Sequence, residues 1–339
     1  MNNLLKKLLI VIIGVFITPI ILFGVGVNPK NHYSASQDML KVGYIQNSYG
    51  PWPKNITISE AAQKGYNVLI IAFGNLRPDK MEFYGDQFLA YTKYNTFTSD
   101  PDAVTAMTGD IQLAKSKYGL KYILVSVGGA TCQFTMGDPA SMAKKVGAFL
   151  DKFYLDGIDF DLEQVVDAAK LNELIMAIKT NKPGTTVTAA PQFNEIKKGT
   201  GICNFVTTGT NTDYTTAINK RCFDYLFPQF YNTASYTING YTQKDAEFIS
   251  AAFNYIIKNG LVPATTIIVP GEPSCPKAGG QGTIYHNPKY KTTQDALNAI
   301  KHQASSLKGK TQFGGMMTWS VNQDADNGYG FANTVLSVL

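Results

Sequence analysis

Residues 156–163 read Asp156-Gly157-Ile158-Asp159-Phe160-Asp161-Leu162-Glu163, with Asp159, Asp161 and Glu163 at alternate positions and Ile158, Phe160 and Leu162 between them. In an extended strand, successive side chains point to opposite faces. The three carboxylates therefore share one face, with about 7 Å of rise between alternate residues, and the apolar residues cover the other. Three ionised carboxylates buried in a row would be prohibitive, so a buried version of this face must share protons and hydrogen bonds. Such sharing pushes pKa values apart and makes one group an acid and another a base. The same alternation also marks any half-exposed antiparallel strand. A reactive site requires instead that the strand sit in a closed parallel sheet.

The rest of the chain supplies the elements for such a sheet. Candidate strands cover residues 42–46, 67–73, 122–127, 157–163, 186–192, 224–231, 266–270 and 314–321. Val68-Leu69-Ile70-Ile71-Ala72, Ile123-Leu124-Val125 and Ile267-Ile268-Val269 are almost wholly apolar, as strands buried on both faces are. Helix punctuation separates them. Thr57-Ile58-Ser59-Glu60 reads as a capping box and Gly65 as the stop. Asp138 and Pro139 read as cap and first residue of a helix whose stripe is Ala143, Val146, Phe149, Leu150 and Phe153. Thr293 opens a later helix with Leu297 and Ile300 on one side, and residues 172–179 and 245–258 behave likewise. Regular strand–helix alternation through eight units predicts an α/β fold of the (β/α)8 TIM-barrel type, with a doubly wound open sheet as the lesser alternative. Glu163 then falls at the C-terminal end of its strand, where such barrels carry their reactive groups.

Composition excludes several classes. The chain has 339 residues, 45% of them hydrophobic, enough for one large domain. Net charge is +5, and a cleaved leader would take Lys6 and Lys7 with it. No basic run or basic helix occurs, which argues against a nucleic-acid partner. Residues 1–27 join that basic head to an apolar stretch over 8–27, either an export signal or a membrane anchor of about 20 residues. Both options place the remainder outside the cytoplasm, secreted or held at the membrane by that segment. Residues 28–40 read as a short linker and 41–339 as one catalytic domain, with no repeat and no appended module. Cys132, Cys203, Cys222 and Cys275 form no Cys-x-x-Cys pair, and His32, His286 and His302 have no metal-like spacing with them. Structural thiols or one or two disulfides are expected, and no metal or other cofactor.

With these segments in order, the chain resembles the glycoside hydrolase family 18 chitinases from about residue 41 onward. Residues 156–163 match DGxDxDxE at every fixed position, Ser126-Val127-Gly128-Gly129 matches SxGG, and Gln229-Phe230-Tyr231-Asn232 matches QxYN. Ala190-Pro191-Gln192 is similar to the fifth-strand segment of plant and bacterial members, and Gly314-Gly315-Met316-Met317-Thr318-Trp319-Ser320 to the final strand. The resemblance implies a retaining endo-hydrolase of β-1,4-linked N-acetylglucosamine polymers. Family 18 is a known exception to the two-carboxylate scheme: the substrate's own acetamide attacks, through an oxazolinium intermediate. On this analogy Glu163 is the acid and base, Asp161 orients the acetamide N–H, Asp159 shares a proton with Asp161, and Tyr231 holds the acetamide oxygen.

Further candidates for substrate contact are Trp319 as subsite floor, Gln229, Asn232, Gln192, Tyr44 and Phe73. Each also has a plain packing or hydrogen-bonding alternative. Trp52 is an outer platform or a loop anchor. Asp156 orders the start of its strand, while Gly128 and Gly129 permit close backbone approach beneath the carboxylates. The expected partner is chitin or another N-acetylglucosamine-containing glycan, with the protein acting as a monomer. Two rival readings keep the same site: an endo-β-N-acetylglucosaminidase acting on N-glycan cores, and a non-catalytic chitin-binding lectin.

Overall fold

The computed structural model describes residues 38–48, 54–93, 96–130, 134–163, 166–193, 223–232 and 237–339. The apolar runs become strands β1 (Leu40–Gln46), β2 (Val68–Leu76), β4 (Tyr122–Gly128), β5 (Gly157–Asp161), β6 (Thr186–Ala189), β7 (Tyr225–Leu226), β8 (Ile267–Ile268), β9 (Gly271–Pro273) and β10 (Gly315–Trp319). They lie in the order β8-β7-β6-β5-β4-β2-β1-β10-β9, every neighbouring pair parallel.

The first and last strands of that order belong to one stretch of chain, residues 267–273, so the sheet closes on itself. Ile268 N–H donates to the Gln312 carbonyl at 2.8 Å and Gly314 N–H to the Ile268 carbonyl at 2.9 Å. The expected barrel is what forms. It has one addition absent from the strand–helix alternation: β3 (Met81–Phe83) folds back antiparallel on β2 through a turn in which Arg77 N–H bonds the Lys80 carbonyl.

Alternation along the strands divides the apolar residues into two cores. Val42, Ile70, Leu124, Phe227, Ile267, Val269 and Met317 fill the barrel interior. Leu69, Ile71, Val125, Ile158 and Phe160 face outward against the helices. Each fully buried Leu or Ile contributes about 1.5–3 kcal/mol relative to an exposed one, which holds the helices against these strands.

Among the described residues the helices are α1 (Ile58–Gln63), α2 (Pro101–Tyr118), α3 (Pro139–Phe153), α4 (Ala168–Asn181), α5 (Glu247–Lys258), α6 (Thr293–Leu307), α7 (Val321–Asp326) and α8 (Gly330–Thr334). Thr57 accepts from Glu60 N–H and Asp138 from Ser141 N–H, as their cap positions require. α6 opens at Thr293 as expected, with Thr292 and Asp295 forming its capping box.

Strand ends differ from expectation. β5 stops at Asp161, two residues before Glu163, and the sixth and seventh strands continue beyond β7 and β8 only as bridges such as Gln192–Gln229 and Gln229–Gly271. Open backbone there frees side chains to turn toward the barrel mouth. Among the described residues no helix is long and apolar enough to cross a membrane. Residues 1–27, and with them the signal or anchor, lie outside the described residues.

Candidate active site

Strand register builds the site from its deepest layer upward. On β4, β5 and β6, Ser126 pairs with Asp159 and Asp159 with Thr188, so three polar side chains stand abreast on one face. Thr188 donates to Asp159 Oδ1 at 2.6 Å and Ser126 to Oδ2 at 2.7 Å. From β1, three strands away around the sheet, the Tyr44 hydroxyl reaches Oδ2 at 3.0 Å. Complete burial raises the Asp159 pKa, and the Thr188, Ser126 and Tyr44 hydroxyls offset that rise only in part. Tyr44, expected among the sugar contacts, is only 2% exposed and spends its hydroxyl on Asp159.

One layer higher, Asp161 pairs with Gly128, whose φ is +111°. A Cβ at Gly128 would lie 2.1 Å from the Asp161 carbonyl oxygen, so the two backbones can approach only with glycine there. The Asp161 carboxylate is buried and accepts from Gln229 Nε2 at 2.9 Å. Glu163 follows at the mouth, half-buried. Burial raises its pKa, and hydrogen bonds from the Gln229 and Gln192 side chains moderate the rise. The two glutamines, bridged through their backbones, thus clasp one carboxyl between them. Gln229 serves both acids and also donates to the Ala190 carbonyl at 3.1 Å.

Aromatic residues line the other side. Phe73 stacks on half-buried Trp319 with centroids 5.7 Å apart and planes at 28°, and Tyr44 packs against the same indole at 5.9 Å. The Ala72–Phe73 and Trp319–Ser320 peptide bonds are cis. Tyr231 is buried; that burial, then the nearby Asp161, Glu163 and Glu272, holds its pKa well above the usual phenol value. It therefore remains a hydroxyl, able to donate. Asn232 adopts φ +57°. Its amide oxygen accepts from Gly280 N–H at 2.7 Å, and its backbone N–H reaches the Gly282 carbonyl at 3.2 Å. Asn232, a candidate sugar contact with hydrogen bonding as its alternative, thus anchors a neighbouring loop through its amide oxygen. Asp156 orders the start of β5: it accepts from Lys115 Nζ at 2.6 Å and from Ile123 N–H at 2.8 Å.

A buried acid below, a second beside it and a mouth-facing acid of raised pKa can move protons to and from an oxygen seated on the aromatic wall. Comparison with known proteins agrees with that chemistry: residues 41–270 match the description "Glycosyl hydrolases family 18". The chain belongs to glycosyl hydrolase family 18. It is a glycoside hydrolase. Over 302 residues it is 26% identical to endochitinase 4 of Metarhizium robertsii, covering 82% of this chain and 79% of that relative. A chitinase of Enterococcus faecalis is 23% identical over 294 residues, covering 80% and 75%. The fold is shared with a crystal structure assigned as chitinase A of Streptomyces coelicolor, at TM-score 0.66 and 22% identity, over 88% of this chain and 97% of that one.

Within this family 18 site, four residues carry positions that sequence reasoning gave no role. Ser126 stood only as a motif letter and Thr188 as a strand residue; laying the strands in parallel register would have placed both beside Asp159. Asn47, just beyond β1, binds the backbone of Phe73. Glu272 lies 2% exposed between Gly271 and Pro273, with Oε2 lacking a hydrogen-bond partner among the described residues, and burial holds its pKa well above the ordinary glutamate value. Its signal was a lone Glu set off from the apolar run Ile267-Ile268-Val269 by Pro270 and Gly271. Cys275 is a buried free thiol. Trp52, Cys132, Cys203 and Cys222 lie outside the described residues.

Proposed function

We propose that the chain is a chitinase, hydrolysing β-1,4 linkages inside N-acetylglucosamine polymers with retention of configuration. The observation that carries this reading is Glu163, a half-buried carboxyl of raised pKa at the barrel mouth, two residues beyond Asp161 and sharing Gln229 with it. A carboxyl that burial makes hold its proton to higher pH than an exposed glutamate is what a departing glycosidic oxygen needs.

Glu163 protonates that oxygen while the acetamide carbonyl of the sugar seated on Trp319 attacks its own anomeric carbon. Asp161 accepts the acetamide N–H and stabilises the positive charge of the oxazolinium. Tyr231 donates to the acetamide oxygen. Asp159 and Asp161 titrate as a pair, the raised pKa of Asp159 letting it take up a proton when Asp161 is charged. Glu163, now a carboxylate, then activates the water that opens the ring. Holding nucleophile and electrophile in one molecule can supply about 7–11 kcal/mol of the barrier. The Lys6-Lys7 head and the apolar stretch 8–27 support action outside the cytoplasm, on an extracellular glycan.

Product analysis from chitohexaose tests the reading. Wild type should release shorter chitooligosaccharides with the β-anomer first, and Glu163→Gln should lose nearly all turnover. An unaltered rate in Glu163→Gln overturns the assignment. Cleavage of a high-mannose glycoprotein but not chitohexaose would make the chain an endo-β-N-acetylglucosaminidase, and binding without cleavage a lectin.

A further inference from the structure

Just past the C-terminal end of β1, Asn47 is 1% exposed, and every polar group it has is engaged. Its amide oxygen accepts the Phe73 N–H at 2.8 Å, and its amide nitrogen donates to the Phe73 carbonyl at 3.1 Å. That nitrogen also reaches the Gln87 carbonyl at 3.0 Å. Its own backbone N–H donates to the Ala72 carbonyl at 3.0 Å, and its carbonyl accepts from Leu89 N–H at 3.2 Å. A carboxamide presents an acceptor and a donor side by side, which is what gripping one residue by both its N–H and its C=O demands.

Phe73 is confined on its ring side as well. Its ring stacks on Trp319. Elsewhere it abuts Gly129, where an added Cβ would come within 2.6 Å of Phe73 Cζ. Held by Asn47 at its backbone and limited by Gly129 at its ring, Phe73 has one place to be, and that place backs the indole.

We propose that Asn47 is the positioning residue of the aromatic wall: by fixing Phe73 against Trp319 it keeps the indole oriented to receive an N-acetylhexosamine ring. The identity of that ligand rests on the chitinase reading; the positioning itself does not. A pre-oriented platform loses less freedom when sugar binds, so the effect falls on binding rather than on proton transfer at Glu163, which Asn47 does not touch.

The test uses the full chain carrying Trp52→Phe, which leaves Trp319 as its single tryptophan. Asn47→Ala in that background should shift Trp319 emission and raise its quenching by acrylamide. It should also raise KM for chitotetraose about tenfold, the equivalent of one or two lost hydrogen bonds, with kcat changed by less than about threefold. Asn47→Asp keeps the acceptor and loses the donor, and should fall between the two; it serves also if the alanine variant does not fold. Gly129→Ala, which crowds the ring at Cζ, should reproduce the emission change. Unchanged emission and unchanged KM in Asn47→Ala overturn the proposal. If wild type turns over no glycan, the chitinase reading has failed, yet the emission of Asn47→Ala still decides the positioning role.

Discussion

Tyr44 and Asp159 are joined across the barrel interior by a 3.0 Å hydrogen bond, although 115 residues separate them in the chain. With Ser126 and Thr188 bonding the same carboxylate from the adjoining strands, Asp159 is suspended from three other strands at once. Its charge state is therefore a property of the closed barrel and not of its own strand.

Ser126→Ala and Thr188→Val each remove a donor that favours the ionised form. A hydrogen bond to a charged group contributes about 1.5–3 kcal/mol, so the Asp159 pKa, already raised, rises further. The acid limb of the kcat/KM–pH profile should move upward in each variant and furthest in the double variant. A stationary acid limb would mean that Asp159 does not titrate with the active form.

Gln229→Ala acts on two acids with opposite demands. Glu163 loses a donor that lowers its pKa, so the alkaline limb, where Glu163 must still be protonated, should move to higher pH. Asp161 loses its 2.9 Å partner, and kcat should fall about tenfold or more from the loss of a charge-assisted bond. A change in KM alone would reduce Gln229 to a sugar contact.

Trp319→Ala should raise KM for chitooligosaccharides about tenfold or more, because the platform goes and Tyr44 and Phe73 lose the ring they pack on. Trp319→Phe should recover part of the loss. Equal kcat/KM in wild type and Trp319→Ala would make the indole a packing residue.

Glu272 predicts a stability effect. Below the pKa of the unfolded chain, near the ordinary glutamate value, both states hold the proton and the protein has its full stability. As pH rises, the unfolded chain ionises first while the buried group keeps its proton. Stability therefore falls, by at most about 1.4 kcal/mol per pH unit, until the folded pKa is passed. Glu272→Gln should remove this component, and its advantage in urea unfolding should widen between pH 5 and pH 8. An advantage that stays constant with pH would show that Glu272 ionises freely in the fold.

Asp324 has the same sign in a lower window. Burial raises its pKa to about 6 despite hydrogen bonds from Tyr66, Phe331 and Ala332. Its share of the stability should be full below about pH 4 and decline up to about pH 6. Asp324→Asn should flatten that part of the pH–stability curve and lower the plateau.

The barrel and its carboxylate strand were legible because both depend on local pattern. Continuous apolar runs such as 68–72 announce strands covered on both sides, and the spacing of Asp159, Asp161 and Glu163 sets their common face. The residues that hold those carboxylates were harder to see. Ser126, Thr188 and Tyr44 become partners of Asp159 only through register and closure, which join distant stretches of chain. Asn47 carries no motif, since its work is done on another residue's backbone. The β3 hairpin escaped because its strand has three residues, too few for a period to show. The Asn232 motif gave no sign that its amide oxygen accepts from Gly280, 48 residues on.

The packed layer of Val42, Ile70, Leu124, Phe227, Ile267 and Val269 beneath Asp159 seals the barrel from below. With that end closed by apolar side chains, the polar neighbours of Asp159 are the hydroxyls of Tyr44, Ser126 and Thr188, and the route to water runs upward past Asp161 and Glu163. In the proposed cycle one proton leaves Glu163 with the departing oxygen and one returns from water, so the three acids lend a proton and recover it within each turnover.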